Sequence, residues 1–386
     1  MSVPSRAAPV ARCLARGLLL AAGATGAAGI SAQTRWIHSL TVPAEIEYDS
    51  NPQMSVAPTS GTTFVRVTPN FVTRYVEGRD DYGLEASLTA EKSSNQEVAQ
   101  DRLDPRLRAV WKHAAPLWSS EVAALLDRSA LRDLGLGEQV PLGSDGSRTL
   151  FGISGRWTRD LDPRTSVAVE GSQEWERYSG AVTPDFRRTS AEARLTRAMS
   201  ERQSIYGLLN GQVYRSDAAP NAVPLPLDPQ NSTVVGAMAG VEHAFSPLFR
   251  IDAAAGPLHF AEPDSRTGWQ GAFKAEYTAE RWEAGLELLR VPVVNATFGG
   301  LVQSDQVRMR VRYDLDPLSR LEMEAGHGRE KAARSSRSLA SVAWVRQMSE
   351  SWQVSLKASV HRQAGPEGTA RSNRIGVLLQ YTAPDL

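Results

Sequence analysis

The sequence predicts an all-β chain: a single transmembrane antiparallel up-and-down β-barrel of about 18 strands (16–18), with short periplasmic turns and long extracellular loops. Three observations predict it. Apolar residues recur with a period of two, short polar turns alternate with long loops, and beyond Ala32 no stretch approaches the roughly 18 apolar residues that a spanning helix needs.

The first residues read as a secretory leader. Arg6, Arg12 and Arg16 precede an apolar, small-residue run from Gly17 to Gly29, and Ile30-Ser31-Ala32 offers a cleavage site. The expected division is a signal peptide over 1–32 and one outer-membrane β-barrel over 33–386, in the cell outer membrane of a Gram-negative bacterium. The single cysteine, Cys13, lies inside the leader, follows Arg12 and precedes the apolar run, so it does not suit a lipid acceptor. The remainder carries no thiol, hence no disulfide and no cysteine–metal site.

Alternation then runs along the chain. It is visible in Val65 and Val67 with Phe71, in Leu84-Ala86-Leu88, Phe151-Ile153, Val167-Val169 and Ile205-Gly207-Leu209. It is longest in Trp269 to Tyr277, Val307 to Tyr313, Trp352 to Val360 and Ile375 to Tyr381. Ser120 to Gly135 is readable as strand or helix. Short turns fall at Asp160–Pro163, Met199–Glu201, Ser246-Pro247, Ala279–Arg281, Asp316–Leu318 and Met348–Ser351. Longer Ser-, Asn-, Pro- and Gly-rich segments separate them at 50–63, 93–104, 215–231, 294–304 and 363–372.

A soluble sandwich also alternates, but its apolar face must interlock with a second layer of large side chains. Here that face mixes Ala, Gly and Val with single large residues, which suits contact with lipid, while the other face is densely charged, which suits a wet lumen. Trp157, Trp282, Tyr313 and Trp352 lie beside short turns, and Tyr48, Phe64, Trp175 and Trp269 beside long loops, as two aromatic girdles would.

If apolar residues face lipid, their neighbours line the lumen. Candidate lining residues are Arg308, Arg310 and Arg312 with Glu322 and Glu324, then Glu170, Glu174, Arg194, Glu276 and Lys274. Hairpin register sets Arg312 against Glu322 and Arg310 against Glu324. Such charges read either as scaffolding or as a track that binds a polar, anionic solute. The loop candidates 128–148 and 215–231 are long enough to fold inward.

The last strand places Arg374, Gly376, Leu379 and Tyr381 at positions 1, 3, 6 and 8 of an eight-residue pattern. It resembles the C-terminal β-signal read by the barrel-assembly machinery, although five residues follow Tyr381. Enzyme signals are scarce. The histidines, His38, His113, His243, His259, His327 and His361, fall singly, Gly-x-Ser-x-Gly is absent, and no phosphate-binding loop occurs. The expectation is therefore no enzyme, no metal and no cofactor. Equal counts of 43 basic and 43 acidic residues argue against a nucleic-acid partner.

The opening Ala44-Glu45-Ile46-Glu47-Tyr48-Asp49-Ser50-Asn51-Pro52, together with turns such as Asp160-Leu161-Asp162-Pro163-Arg164-Thr165-Ser166, resembles the β-barrel porin 2 group. That resemblance implies exopolysaccharide-associated or exosortase-associated surface systems, and it identifies no catalytic residue. The expected function is a passive conduit for exopolysaccharide export or solute diffusion. The rivals are a closed structural or adhesive barrel that binds through its loops, and an envelope hydrolase. Expected partners are outer-membrane lipid, the assembly machinery during biogenesis, polysaccharide and periplasmic export components.

Overall fold

The computed structural model describes residues 34–57, 60–133, 146–179, 184–217, 231–262, 265–295, 300–331, 334–366 and 368–384. The leader expected over 1–32, residues 134–145 of the loop candidate 128–148 and most of the loop 215–231 lie outside the described residues.

The strands are β1 (Arg35–Asp49), β2 (Thr62–Val67), β3 (Asn70–Glu77), β4 (Asp80–Ser93), β5 (Arg102–Ala114), β6 (Trp118–Ala130), β7 (Ser147–Asp162), β8 (Thr165–Ser179) and β9 (Phe186–Ser200). They continue with β10 (Gln203–Ser216), β11 (Asn231–Ser246), β12 (Phe249–Glu262), β13 (Arg266–Thr278), β14 (Trp282–Asn295), β15 (Gly300–Asp316), β16 (Ser319–Glu330), β17 (Ser335–Gln347), β18 (Trp352–Gly365) and β19 (Gly368–Pro384). Apart from β2 and β3, consecutive strands pair antiparallel, and β1 pairs with β19 from Ser39↔Pro384 to Asp49↔Arg374, so the sheet closes on itself. β2 and β3 are collinear halves broken at Thr68-Pro69, since β1 pairs with both, and the 19 segments make an 18-strand wall. Proline lacks the N–H that a ladder needs, which accounts for the break.

Of the segment open to two readings, Ser120 to Gly135, residues 120–130 are strand, the greater part of β6, and Leu131–Asp133 form a 3-10 turn. The Arg312↔Glu322 and Arg310↔Glu324 register holds. Two of the short turns share a mechanism. Asp162 accepts from the Arg164 amide at 2.8 Å and Asp316 from the Leu318 amide at 2.8 Å, each across a proline whose fixed φ presets the bend. Register shifts between Asp160 and Asp162 and between Asp314 and Asp316 absorb the tight reversal.

Large apolar side chains stand exposed around the outer face, among them Ile46, Val65, Leu84, Leu107, Ile153, Leu209, Met309, Leu356 and Ile375. A water-soluble protein does not leave so continuous an apolar surface uncovered. Aromatics ring the short-turn end, where Trp36 meets Tyr75 at 4.6 Å, Trp282 meets Tyr313 at 4.3 Å and Trp352 meets Tyr381 at 5.0 Å. At the long-loop end Tyr48 and Trp269 are exposed and Trp175 packs on Phe151. Phe64 does not join them. It is fully buried on the inner face, because it shares the parity of Arg66 and not that of the exposed Val65 and Val67. Among the described residues no helix is long and apolar enough to cross a membrane, which says nothing of strands.

Candidate functional site: a turn latched inside the barrel

An 18-strand wall at about 4.8 Å spacing and about 40° tilt has a backbone radius of about 18 Å, too wide for wall side chains alone to fill. What enters the lumen therefore decides what can pass. The 3-10 turn after β6 enters it. Leu131 and Arg132 are buried, and Asp133 Oδ1 lies 3.4 Å from Nη1 of Arg374 on β19. Along the wall β6 and β19 are separated by β5, β4, the β2–β3 strand and β1, an arc of about 24 Å. Contact at ion-pair distance is possible only across the inside.

The latch is built from charges on the inner faces of β1, β2, β4 and β19. Arg374 Nε lies 2.8 Å from Asp49 Oδ2, and its Nη2 donates to the Arg132 carbonyl at 3.2 Å. Asp49 is fully buried and also accepts from the Asn51 amide at 2.8 Å and from the Ser372 hydroxyl. Arg132 donates to Glu91, whose other oxygen is 2.5 Å from Arg66 Nε. Arg66 reaches Glu47 at 3.1 Å and Glu45 at 3.4 Å. The guanidiniums of Arg132 and Arg66 lie 4.2 and 5.1 Å from the centre of the Phe64 ring, so the misread aromatic is a platform for the latch.

Asp133, in the turn and outside the strands, keeps 39% side-chain exposure toward the lumen. Burial works to raise its carboxyl pKa, but the guanidiniums of Arg66, Arg132, Arg374 and Arg102 outweigh that and hold it at about 2. It is ionised throughout the physiological range.

On the opposite side the lumen narrows by another device. Phe186, Tyr214, Val234, Leu258, Phe260, Val294 and Leu301 form a buried apolar cluster at the long-loop end of β9–β15. Below it Asn210 of β10 and Gln270 of β13 exchange amide hydrogen bonds of 3.0 and 3.1 Å over the top of Gly236. A Cβ at Gly236 would come within 2.2 Å of the Gln270 amide, so only glycine allows that approach.

Among the described residues the short-turn half holds open space. A cavity of about 790 Å³ is lined by Arg310, Arg312, Glu322, Glu324 and Glu276, with Arg250, Glu283 and Lys357. Arg308 lies 3.8 Å from Glu287 and 3.7 Å from Glu324, and Arg310 is the most open of the three, with 65% side-chain exposure. Lys274 pairs with Glu276 at 2.6 Å and borders a smaller space of about 390 Å³. Glu174 pairs with Arg188, Arg194 with Glu242 and with the Tyr206 ring, and Glu170 stands opposite Glu192. These three lie on the inner wall away from the β15 ladder. In β19, Arg374 and Gly376 are buried on the inside, while Leu379 is exposed on the outside and Tyr381 packs on Trp352 there.

Sequence reasoning missed Asp49, Glu91, Arg66, Arg132 and Asp133, since no local pattern joins positions so far apart. The length of the segment 128–148 was the one signal available. Among the described residues no group of three or more His, Cys, Asp or Glu side chains is placed to hold a metal ion. His113 lies 2.9 Å from Asp80, which also accepts from the Trp111 indole at 3.0 Å, so this pair belongs to the aromatic ring of the short-turn end.

No family model matches the chain, and neither does any curated protein. Solved structures do. OccK2 (OpdF) of Pseudomonas aeruginosa superposes with a TM-score of 0.50 at 10% identity, over 90% of this chain and 98% of its own. The outer membrane protein OpdK of Pseudomonas aeruginosa gives 0.48 at 12% identity over 91% and 99%. The outer membrane channel DcaP of Acinetobacter baumannii gives 0.45 at 14% identity over 93% and 100%. At these identities the likeness is one of fold.

Proposed function

We propose that the chain is an outer-membrane channel for small charged solutes, constricted by the latched turn and lined by the arginines of β15. The observation that carries this reading is the pairing of an apolar, aromatic-ringed outer wall with an ionised inner wall around open space. A barrel that only held a surface in place would not need water-facing charge along its interior. Small solutes suit the lumen better than a polymer does, because turn 131–133 and the Asn210–Gln270 bridge each reduce its cross-section. Exopolysaccharide passage remains the finer reading of the family resemblance, and it requires the latch to open.

The chain enters the membrane, on this reading, after export by its leader. The test is solute flux into proteoliposomes containing the refolded barrel. Small organic anions should equilibrate faster than neutral sugars of equal size, and R310Q/R312Q should reduce that preference. Equal rates for both solutes, unchanged in the variant, would remove the arginine track from the account.

A further inference from the structure

The rule that charges face inward lapses toward the long loops, as at Arg187 and Arg215, exposed opposite one another on β9 and β10. At the long-loop end of β14–β19 a row of ionised side chains points outward, toward the surface that the reading above gives to lipid. On β16, exposed His327 and Arg329 continue the line of exposed Met323 and Ala325, while Gly326, Gly328 and Glu330 are buried inside. Arg290 of β14 lies 3.3 Å from Asp305 of β15 and 4.4 Å from the Trp269 ring, which is itself 53% exposed. Asp305 stands opposite Arg329 and lies 3.8 Å from Lys331. One carboxylate thus faces three cations. Two strands further on, Arg362 of β18 and Arg371 of β19 are exposed directly opposite one another in the register.

Like charges opposite each other on a strand pair destabilise it, and unpaired cations at a lipid boundary are costlier still. Among the described residues no carboxylate pairs with Arg329, Arg362 or Arg371. Anions from outside the chain would satisfy them. Directly on the short-turn side of Arg290 lies a groove of about 610 Å³, where Ala255 and Gly271 leave the wall thin between Trp269, Phe273, Leu288 and Val307. Cations above an apolar groove on one membrane-facing surface match one kind of ligand, an acylated molecule with phosphate on its headgroup.

We infer that this face binds a phosphorylated, multiply acylated glycolipid of the outer leaflet, with phosphate on Arg290, Arg329, Arg362 and Arg371 and an acyl chain in the groove. The inference rests on the membrane reading, and its test separates the two. The barrel is refolded in nanodiscs whose lipid is phosphatidylcholine alone or carries a fraction of diphosphoryl lipid A with brominated acyl chains. Insertion is read first, by heat-modifiable migration; a chain that does not insert overturns the membrane reading itself. For an inserted barrel, fluorescence quenched by the brominated chains should saturate at low lipid A fraction, and W269F should abolish most of it. Dephosphorylated lipid A should need at least a tenfold higher fraction, as should R329Q/R371Q, two exposed positions whose loss removes no ion pair of the fold. R164Q, exposed in the short turn between β7 and β8, should behave as wild type. Free inorganic phosphate at millimolar concentration should not displace the lipid. Quenching indifferent to phosphorylation and to R329Q/R371Q would overturn the proposal. So would quenching lost to inorganic phosphate, or a patch covered by a second copy whose dimer dissociates in R329Q/R371Q.

Discussion

Arg374 ties the latched turn to the wall, and its neighbours rank the consequences of removing it. It is 8% exposed and paired with a fully buried Asp49. Arg374→Gln leaves that carboxylate without its cation, a change that costs about 3 kcal/mol or more in buried pairs. Asp133→Asn removes only a partly wetted partner and should cost about 1 kcal/mol or less. Midpoints of heat-modifiable migration in detergent should therefore fall clearly for R374Q and little for D133N. The pH dependence follows from the same carboxylate. Its pKa is depressed to about 2, below the ordinary value near 4. The stability it lends the latch is complete above the ordinary value and is lost as pH falls through about 2. Protease accessibility of the turn should be flat from pH 8 to 5 and should rise near pH 3, and D133N should abolish that acid step.

At the scale of the element, the strands were legible from alternation, and so were most facings. Val307, Met309 and Val311 alternate with Arg308, Arg310 and Arg312 so regularly that both register and side follow. Phe64 adjoins a loop as girdle residues do, but its parity with Arg66 puts it inside. The outward arginines escaped for the opposite reason: at the long-loop end of a strand the outer face meets the headgroup boundary of the lipid, where charge no longer marks the inside. Neither the latch nor the Asn210–Gln270 bridge was legible, since each joins elements that meet only across the closed barrel. Phe64→Ala should lower the heat-unfolding midpoint by an amount equivalent to about 2–3 kcal/mol, at the low end for a buried aromatic because water can enter the space. Gly240→Ala tests packing on the other side. A Cβ there would come within 2.3 Å of the Tyr206 ring, whose hydroxyl donates to Asp252 at 2.5 Å. Tyr206 must then move, and its hydroxyl should lose protection from solvent in tyrosine titration.

For the whole molecule, closure between β1 and β19 is the step that turns a sheet into a barrel, since it removes the two edges that would otherwise pair with other chains. Tyr381 and Leu379, outward on the closing strand, touch nothing in the lumen. If they serve recognition by the assembly machinery, Tyr381→Ala should reduce barrel assembled in cells several-fold while the purified chain refolds normally in detergent. The interior then divides by length: a latched, charged and apolar constriction toward the long loops, and open mixed-charge space toward the short turns. Conduction should be governed by the first. The most direct test is single-channel conductance of the refolded chain in a planar bilayer, wild type against the doubly unlatched D133N/R374Q. The account predicts stable open steps in both, with larger steps in the variant. Equal steps, or silence from inserted barrels of either kind, would contradict it.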